Sequence, residues 1–145
     1  MPTNPVARQI QQVIGAYFEA CMAQDAGAIA ACFAPDAVHY LPHLPPLRGG
    51  AVIGNAIVHD TRNRGGAYFI DRIVTDVEQY AAAVEWSRTF DRSDWILRGL
   101  EYCAFDPASL LLREIRGYYA SAPHADVIRH ELLGFDYAKR GYRLP

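Results

Sequence analysis

Glu101, Glu114 and Arg116 lie in two stretches rich in aromatic and β-branched residues, joined by a polar turn, Asp106-Pro-Ala-Ser109. Counting back from that turn sets Glu101 opposite Glu114 and Gly99 opposite Arg116. Counting back from an earlier turn, Asp91-Arg-Ser-Asp94, sets Trp86 opposite Gly99 and Val84 opposite Glu101. One sheet face would then collect Trp86, Glu101, Glu114 and Arg116 at cross-strand spacings of about 5 Å. Two facing carboxylates raise one pKa while the guanidinium lowers the other, and acid–base chemistry near neutral pH uses such a divergence. The same set could equally be a structural ion-pair ladder at a dimer surface, and the sequence leaves both open. The opposite face would carry Glu85 and Arg98 as diagonal neighbours, with Arg113 further along.

His39 and His43 are four residues apart, but a strand and a proline between them exclude helical metal-ligand geometry. The loop carrying them should edge a pocket mouth, where either could serve as acid or base. His59, His124 and His130 stand alone, and no metal site is expected. Cys21, Cys32 and Cys103 are an odd set without a C-x-x-C pair, each in an apolar stretch, which reads as buried reduced thiols. There is no G-x-G-x-x-G, P-loop or G-x-S-x-G, so neither a nucleotide cofactor nor a serine nucleophile has support.

The elements that must position these residues come in two halves. Ile10, Val13, Ile14, Tyr17, Phe18 and Cys21 recur at spacings of three and four, which predicts a helix from Pro5 to Ala23. Asp25 stands as N-cap of a short helix, Ala26 to Phe33, which Pro35-Asp36 should end before a strand from Ala37 to Leu41. A proline-stiffened loop, Leu41 to Gly50, leads to a third helix from Ala51 to about Thr61. Beyond Gly66 the period changes to that of strands: Tyr68 to Val77, Tyr80 to Phe90, Trp95 to Phe105 and Leu110 to Tyr119. Short turns make these an antiparallel meander, so the order is α+β with helices on one sheet face. Residues 121–145 read as an irregular tail of a single domain spanning 1–145.

Composition agrees with a globular chain: 51% hydrophobic and 21% charged residues. A net charge of −2 leaves no basic footprint for nucleic acid. No apolar run approaches the roughly 20 residues of a bilayer span, and the N-terminal residues lack the order of a secretion signal. A cytoplasmic protein is expected.

The order helix, helix, strand, helix, four strands resembles the nuclear transport factor 2-like superfamily, which includes SnoaL-like polyketide cyclases, ketosteroid isomerase, scytalone dehydratase and hexachlorocyclohexane dehydrochlorinase. The phrases that carry the likeness are Asp25-Ala-Gly-Ala-Ile-Ala-Ala-Cys-Phe-Ala-Pro-Asp-Ala-Val38, Pro46-Leu-Arg-Gly-Gly50 and Leu112-Arg-Glu-Ile-Arg-Gly-Tyr-Tyr119. The resemblance implies a cone-shaped barrel of three N-terminal helices on a bent antiparallel sheet. It sets Asp25 at the place of the dehydrochlorinase's catalytic aspartate, although in many relatives that residue only caps a helix. Tyr40 falls near the isomerases' acidic base and offers no acid. Arg72 falls where the dehydratases carry a histidine base, and a permanently charged guanidinium cannot copy that role.

The expected function is a cofactor-independent lyase, dehydratase, isomerase or cyclase acting on a small, apolar, cyclic or aromatic substrate. Glu101, Glu114, Asp25 or His39 would move the proton, and Arg72 or Arg116 would hold an anionic oxygen. Trp86, Tyr40, Phe69, Tyr102 and Tyr118 would form the wall, with His43 at the rim. The rival is a non-catalytic binding or assembly module of the same fold. A homodimer is expected on both accounts, from the resemblance and because both sheet faces carry apolar residues.

Overall fold

Asn4 starts the first helix, α1 (Pro5–Ala23), by accepting hydrogen bonds from the backbone N–H of Val6 at 2.8 Å and of Ala7 at 3.3 Å. Its stripe of Ile10, Ile14, Tyr17, Phe18 and Cys21 is buried. Gln24 closes it in the left-handed conformation, φ 55°. Asp25 then caps α2 (Ala26–Ala31), and α3 (Gly50–Arg64) packs directly across it. The two backbones meet at glycines: a Cβ on Gly54 would lie 2.5 Å from the Ala26 carbonyl oxygen, and one on Gly50 2.8 Å from that of Ala30. The computed structural model describes residues 4–119, 134–136 and 138–141.

The strands are β1 (Phe33–Tyr40), β2 (Leu47–Arg48), β3 (Tyr68–Asp76), β4 (Ala81–Phe90), β5 (Ser93–Phe105) and β6 (Leu112–Tyr119). Among the described residues they form one sheet in the order β2-β1-β6-β5-β4-β3. The β3–β6 meander is antiparallel, as the short turns require.

Two features of the expected sheet are overturned. It is not closed into a barrel: β3 and β2 stand at opposite edges, and β2, only two residues long, gives closure nothing to pair with. Nor is it wholly antiparallel, because β1 runs parallel to β6. Turns constrain only chain neighbours, and β1 is separated from the meander by α3, which frees its direction. β1 also begins earlier than expected and carries Pro35-Asp36 inside it. The β1–β6 register shifts between Phe33 and Val38, the kind of irregularity where a residue without an N–H is tolerated.

Register decides which side chains share a face. Between β4 and β5 Trp86 lies opposite Gly99 and Val84 opposite Glu101, as counted from the turn. Between β5 and β6, however, Glu101 faces Gly117 rather than Glu114, and Gly99 faces Tyr119 rather than Arg116. The connection is longer than Asp106–Ser109: the Leu110 N–H bonds to the Asp106 carbonyl at 2.8 Å, the Asp106 N–H to the Leu111 carbonyl at 2.9 Å, and Leu110 is left-handed. A bulge between Ala104 and Phe105 adds one residue more. From Glu114 onward the displacement is odd, so those β6 side chains are turned over relative to the expectation.

The core lies between α1–α3 and the inner sheet face, with Val84, Phe105, Leu112 and Ile115 sealed against Ile10, Ile14 and Ile53. On the outer face Phe135 packs edge-on against Tyr40, ring centres 5.0 Å apart. Most of the expected tail, with His124, His130, Tyr137 and Tyr142, lies outside the described residues. No described helix is long and apolar enough to cross a membrane.

The α2–α3 contact generates a paired test. Gly54→Ala puts a methyl into a backbone carbonyl and should lose on the order of 1–3 kcal/mol of stability. Gly27→Ala, in the same helix pair but 3.5 Å from only the Asp25 carboxylate, should be neutral or stabilising by about 0.5 kcal/mol. Urea midpoints of the two variants check this; equal shifts would mean that the close approach is not a constraint.

Candidate active site

Strand alternation sends Trp86 and Arg88 of β4, Gly99 and Glu101 of β5, Gly117 and Tyr119 of β6, and His39 of β1 to the helix-covered face. The Trp86 ring lies against Gly99, where a Cβ would sit 2.5 Å from the ring carbons. Any other residue at position 99 would lift the indole from the strand. Tyr68 and Tyr119 meet the same ring edge-on, each 6.0 Å away. Glu101 has Val84 on one side and Gly117 on the other. A Cβ on Gly117 would meet the Pro42 ring and the Tyr40 carbonyl at 3.5 Å, which are ordinary contact distances.

The Nε2 of His39 stands 3.8 Å from Oε1 of Glu101, and both residues are buried. The separation is too long for a hydrogen bond. Among the described residues both ring nitrogens of His39, Oε2 of Glu101 and the indole Nε1 of Trp86 have no hydrogen-bond partner. Each buried polar atom left unpaired costs about 1–3 kcal/mol, and three of these four belong to the adjoining Glu101 and His39 side chains. Burial pushes the Glu101 carboxyl up to about 7 and lowers the His39 imidazole to about 4. Both groups are therefore driven toward their neutral forms. Burial above all raises the pKa values of the Tyr17 hydroxyl and the Cys21 and Cys103 thiols, and the Glu101 charge adds to the rise at each, for Tyr17 after Cys21. All three cysteines are buried and free.

Arg88 is the other buried ionic group, 4% exposed. It donates through Nη1 to the Asp60 carboxylate of α3 and through Nη2 to the Gly65 carbonyl at 3.4 Å. Its guanidinium lies over the rings of Tyr68 and Phe90, 4.8 and 4.7 Å from their centres.

Of the residues singled out from sequence, the structure brings His39, Glu101 and Trp86 together. Glu114 and Arg116 pair at 3.0 Å on the outer face instead, where Arg116 covers the Tyr102 ring at 4.2 Å and Tyr40 and Tyr118 also lie. Arg72 and Phe69 are exposed on outer-facing positions of edge strand β3. Asp25 is exposed and accepts the Ala28 N–H at 2.9 Å, which is the cap geometry. His43 sits in the 41–46 loop with φ 64°. Glu85 and Arg98 form the expected diagonal pair at 2.8 Å, exposed on the outer face. Tyr17, Tyr68, Tyr119 and Arg88 escaped the sequence reading. Arg88 stands two residues after Trp86, so period-two alternation alone places it on the same face. Among the described residues no three potential metal ligands converge.

No protein-family model matches the chain, and no curated protein matches it. Among solved structures it is similar to a protein of unknown function with a cystatin-like fold from Methylobium petroleophilum, at 40% identity over 99% of this chain and 96% of the other, TM-score 0.87. It is also similar to a protein assigned as a ketosteroid isomerase from Kribbella flavida, at 17% identity over 95% and 91% of the two chains, TM-score 0.65. An epoxide hydrolase of M. tuberculosis matches at 18% identity over 78% and 84%, TM-score 0.61. The last two likenesses are of fold alone.

The opposed shifts make a prediction about stability. Glu101, its pKa raised from 4.5, contributes stability that is present below about 4.5 and lost as pH rises through about 7. His39, lowered from 6.5, contributes stability that is present above about 6.5 and lost as pH falls through about 4. Between these limits the folded pair keeps one proton on Glu101, and the unfolded chain keeps one on His39, so the pair's net effect is nearly flat. Removing one partner should unmask the other. Relative to wild type, His39→Gln should lose on the order of 3 kcal/mol between pH 5 and 7.5, and Glu101→Gln should gain a similar amount. Urea unfolding of the three proteins at both pH values checks this; parallel profiles would refute the opposed shifts.

Proposed function

The chain belongs to the cystatin-like, nuclear transport factor 2-like superfamily, and from that premise we propose that it is a cofactor-independent enzyme moving a proton on a small ring substrate. The observation that carries this is the buried Glu101–His39 pair, with its unpartnered atoms beside the Trp86 indole N–H. A carboxyl with a pKa of about 7 is half ionised at neutral pH, so it takes a proton and returns it with little penalty in either direction. Glu101 acts as base on a carbon or hydroxyl of the substrate. Negative charge developing on a substrate oxygen is met by the Trp86 Nε1–H and the neutral His39 ring N–H, both already out of water. Trp86, Tyr68 and Tyr119 line the inner face with aromatic surface that suits a flat apolar ring. The reaction class is that of a lyase, dehydratase, isomerase or cyclase. A pure binding module has no need of an acid held near neutrality, and this favours the enzyme.

Turnover across a panel of cyclic ketones, hydroxy-ketones and halogenated ring compounds tests the proposal. Glu101→Gln should lower kcat by about a hundredfold or more while the fold is retained. Wild-type kcat/KM should rise with pH through about 7, as the base ionises. Wild-type turnover in Glu101→Gln would sink the assignment.

We further propose that two copies pair through the outer sheet face, where Phe69, Val74, Ile96, Leu100 and Tyr118 are exposed around the Glu85–Arg98 pair. Sedimentation equilibrium should give twice the 16.2 kDa chain mass, and Leu100→Asp should return the single mass. A wild-type protein sedimenting as one chain at micromolar concentration would remove this idea.

A further inference from the structure

The proton-transfer reading needs the Trp86 indole N–H held in one direction, yet that N–H has no hydrogen-bond partner among the described residues. Its orientation is therefore set by what touches the ring. The carbons against Gly99 are Cζ2, Cε2 and Cη2, where a Cβ would lie 2.5 to 3.0 Å away, and Cε2 is bonded to the N–H. That edge of the indole thus rests on β5 two residues before Glu101, on the same face. Tyr119, opposite Gly99 on β6, and Tyr68 on β3 meet the ring edge-on, each 6.0 Å away.

Tyr68 is itself held. It pairs directly with Arg88 across β3 and β4 and is the diagonal neighbour of Trp86. The Arg88 guanidinium lies over the Tyr68 ring and is only 4% exposed. Nη1 is tied to Asp60 and Nη2 to the Gly65 carbonyl, both at the C-terminal end of α3, so the flat group cannot turn without losing one of them. Arg64 shares Asp60 at 3.6 Å and lies over the Phe90 ring at 4.6 Å, which ties the same end of α3 to β4. A lysine could reach Asp60 but has no plane to lay on a ring. An unbroken series of contacts thus runs from the end of α3 through Arg88 and Tyr68 to the indole.

We propose that Arg88 is a positioning residue: by fixing the Tyr68 ring it sets the orientation of the Trp86 indole, and with it the direction of the N–H on the inner face. This rests on the reading of that face as the reacting site. Arg88 touches no substrate and moves no proton; its buried charge holds an aromatic ring still. The role differs from that of a staple between α3 and the sheet. Loosening a staple lowers the stability of the fold and leaves the indole where it is.

Fluorine NMR of protein labelled with fluorotryptophan reads the indole directly, with Trp86→Phe assigning the Trp86 signal against that of Trp95. Arg88→Gln should move the Trp86 signal or split it, and Arg88→Lys should recover part of the wild-type position. Tyr68→Phe keeps the ring and should leave the signal close to wild type, whereas Tyr68→Leu should move it. In the Tyr68→Leu background Arg88→Gln should add nothing further, which separates transmission through the ring from a direct effect of the charge. Asp60→Ala frees the guanidinium without removing it and should also shift the signal, which keeps the test decisive if Arg88→Gln fails to fold. An unmoved Trp86 signal in folded Arg88→Gln or Asp60→Ala, or a full Arg88→Gln shift surviving in Tyr68→Leu, would overturn the proposal. Where turnover is found, Arg88→Gln should lower kcat roughly tenfold to a hundredfold, the scale for a misplaced group, and cost nothing more in the Trp86→Phe background. Additive losses there would also overturn it. The spectroscopic arm needs no turnover. A ring-dependent shift alongside full activity in Glu101→Gln would keep the Arg88–Tyr68–Trp86 linkage and sink the acid–base reading. An unmoved indole with activity lost in Glu101→Gln would do the opposite.

Discussion

The constraint on which the site depends is the depth at which β5 and β1 hold a carboxyl and an imidazole. Glu101 and His39 are both buried and 3.8 Å apart, close enough to feel one another and too far to satisfy one another. A shorter contact would let the pair settle into a hydrogen bond, with one proton shared and little left to offer a ligand. A wetter position would return both pKa values to their ordinary ranges. On the neighbouring position of β5 the absence of a side chain at Gly99 lets the indole of Trp86 lie against the strand beside this pair.

Such a concentration of unpaired polar atoms is tolerable because the inner face is divided along its length. Toward Phe105, Leu112 and Phe33 the space between sheet and helices is sealed by apolar side chains, with Ile10, Ile14, Ile29 and Ile53 at or near zero exposure. Toward Trp86 and Arg88 the same face turns aromatic and then ionic, ending at the Arg88–Asp60 pair and the turn after α3. Burial at the first end supplies the hydrophobic stabilisation that offsets the desolvated polar groups at the second. Position along β4, rather than distance from the surface, decides whether an inward residue is structural or chemical.

Local signals carried well where one interaction determined the outcome. The apolar stripe from Ile10 to Cys21 predicts α1 because only a helix buries those positions together, and its bounds are those of the structure. Trp86 does lie opposite Gly99 as counted, although the pairing shifts by two residues between Phe90–Ser93 and Arg88–Leu97. The β5–β6 pairing failed for a physical reason. Asp106 does form the expected turn, accepting the N–H groups of Ala108 and Ser109, but Leu110 adopts a left-handed conformation and the chain travels further before pairing. Nothing in the residue types announces the bulge at Ala104, and one bulge reverses the side on which Arg116 and Glu114 appear. The parallel placement of β1 beside β6 was equally silent, since residue alternation within a strand does not encode the direction of its neighbour.

The same distinction separates what the family resemblance transferred from what it did not. Fold travels well, because helix stripes and strand alternation are distributed over many residues and survive the loss of any one. Chemistry sits on single side chains, and there correspondence by sequence place was a poor guide: the place of a catalytic aspartate is here a helix cap at Asp25, and the place of a histidine base is an exposed arginine on an edge strand at Arg72. The inward ionisable residues are instead the ones that strand parity selects, His39, Arg88 and Glu101. Each sits where a hydrophobic residue would pack more cheaply, and each keeps at least one polar atom unpaired among the described residues. Stability alone would favour apolar residues at all three positions, and it is this departure from cheap packing that sets them apart from the rest of the inner face.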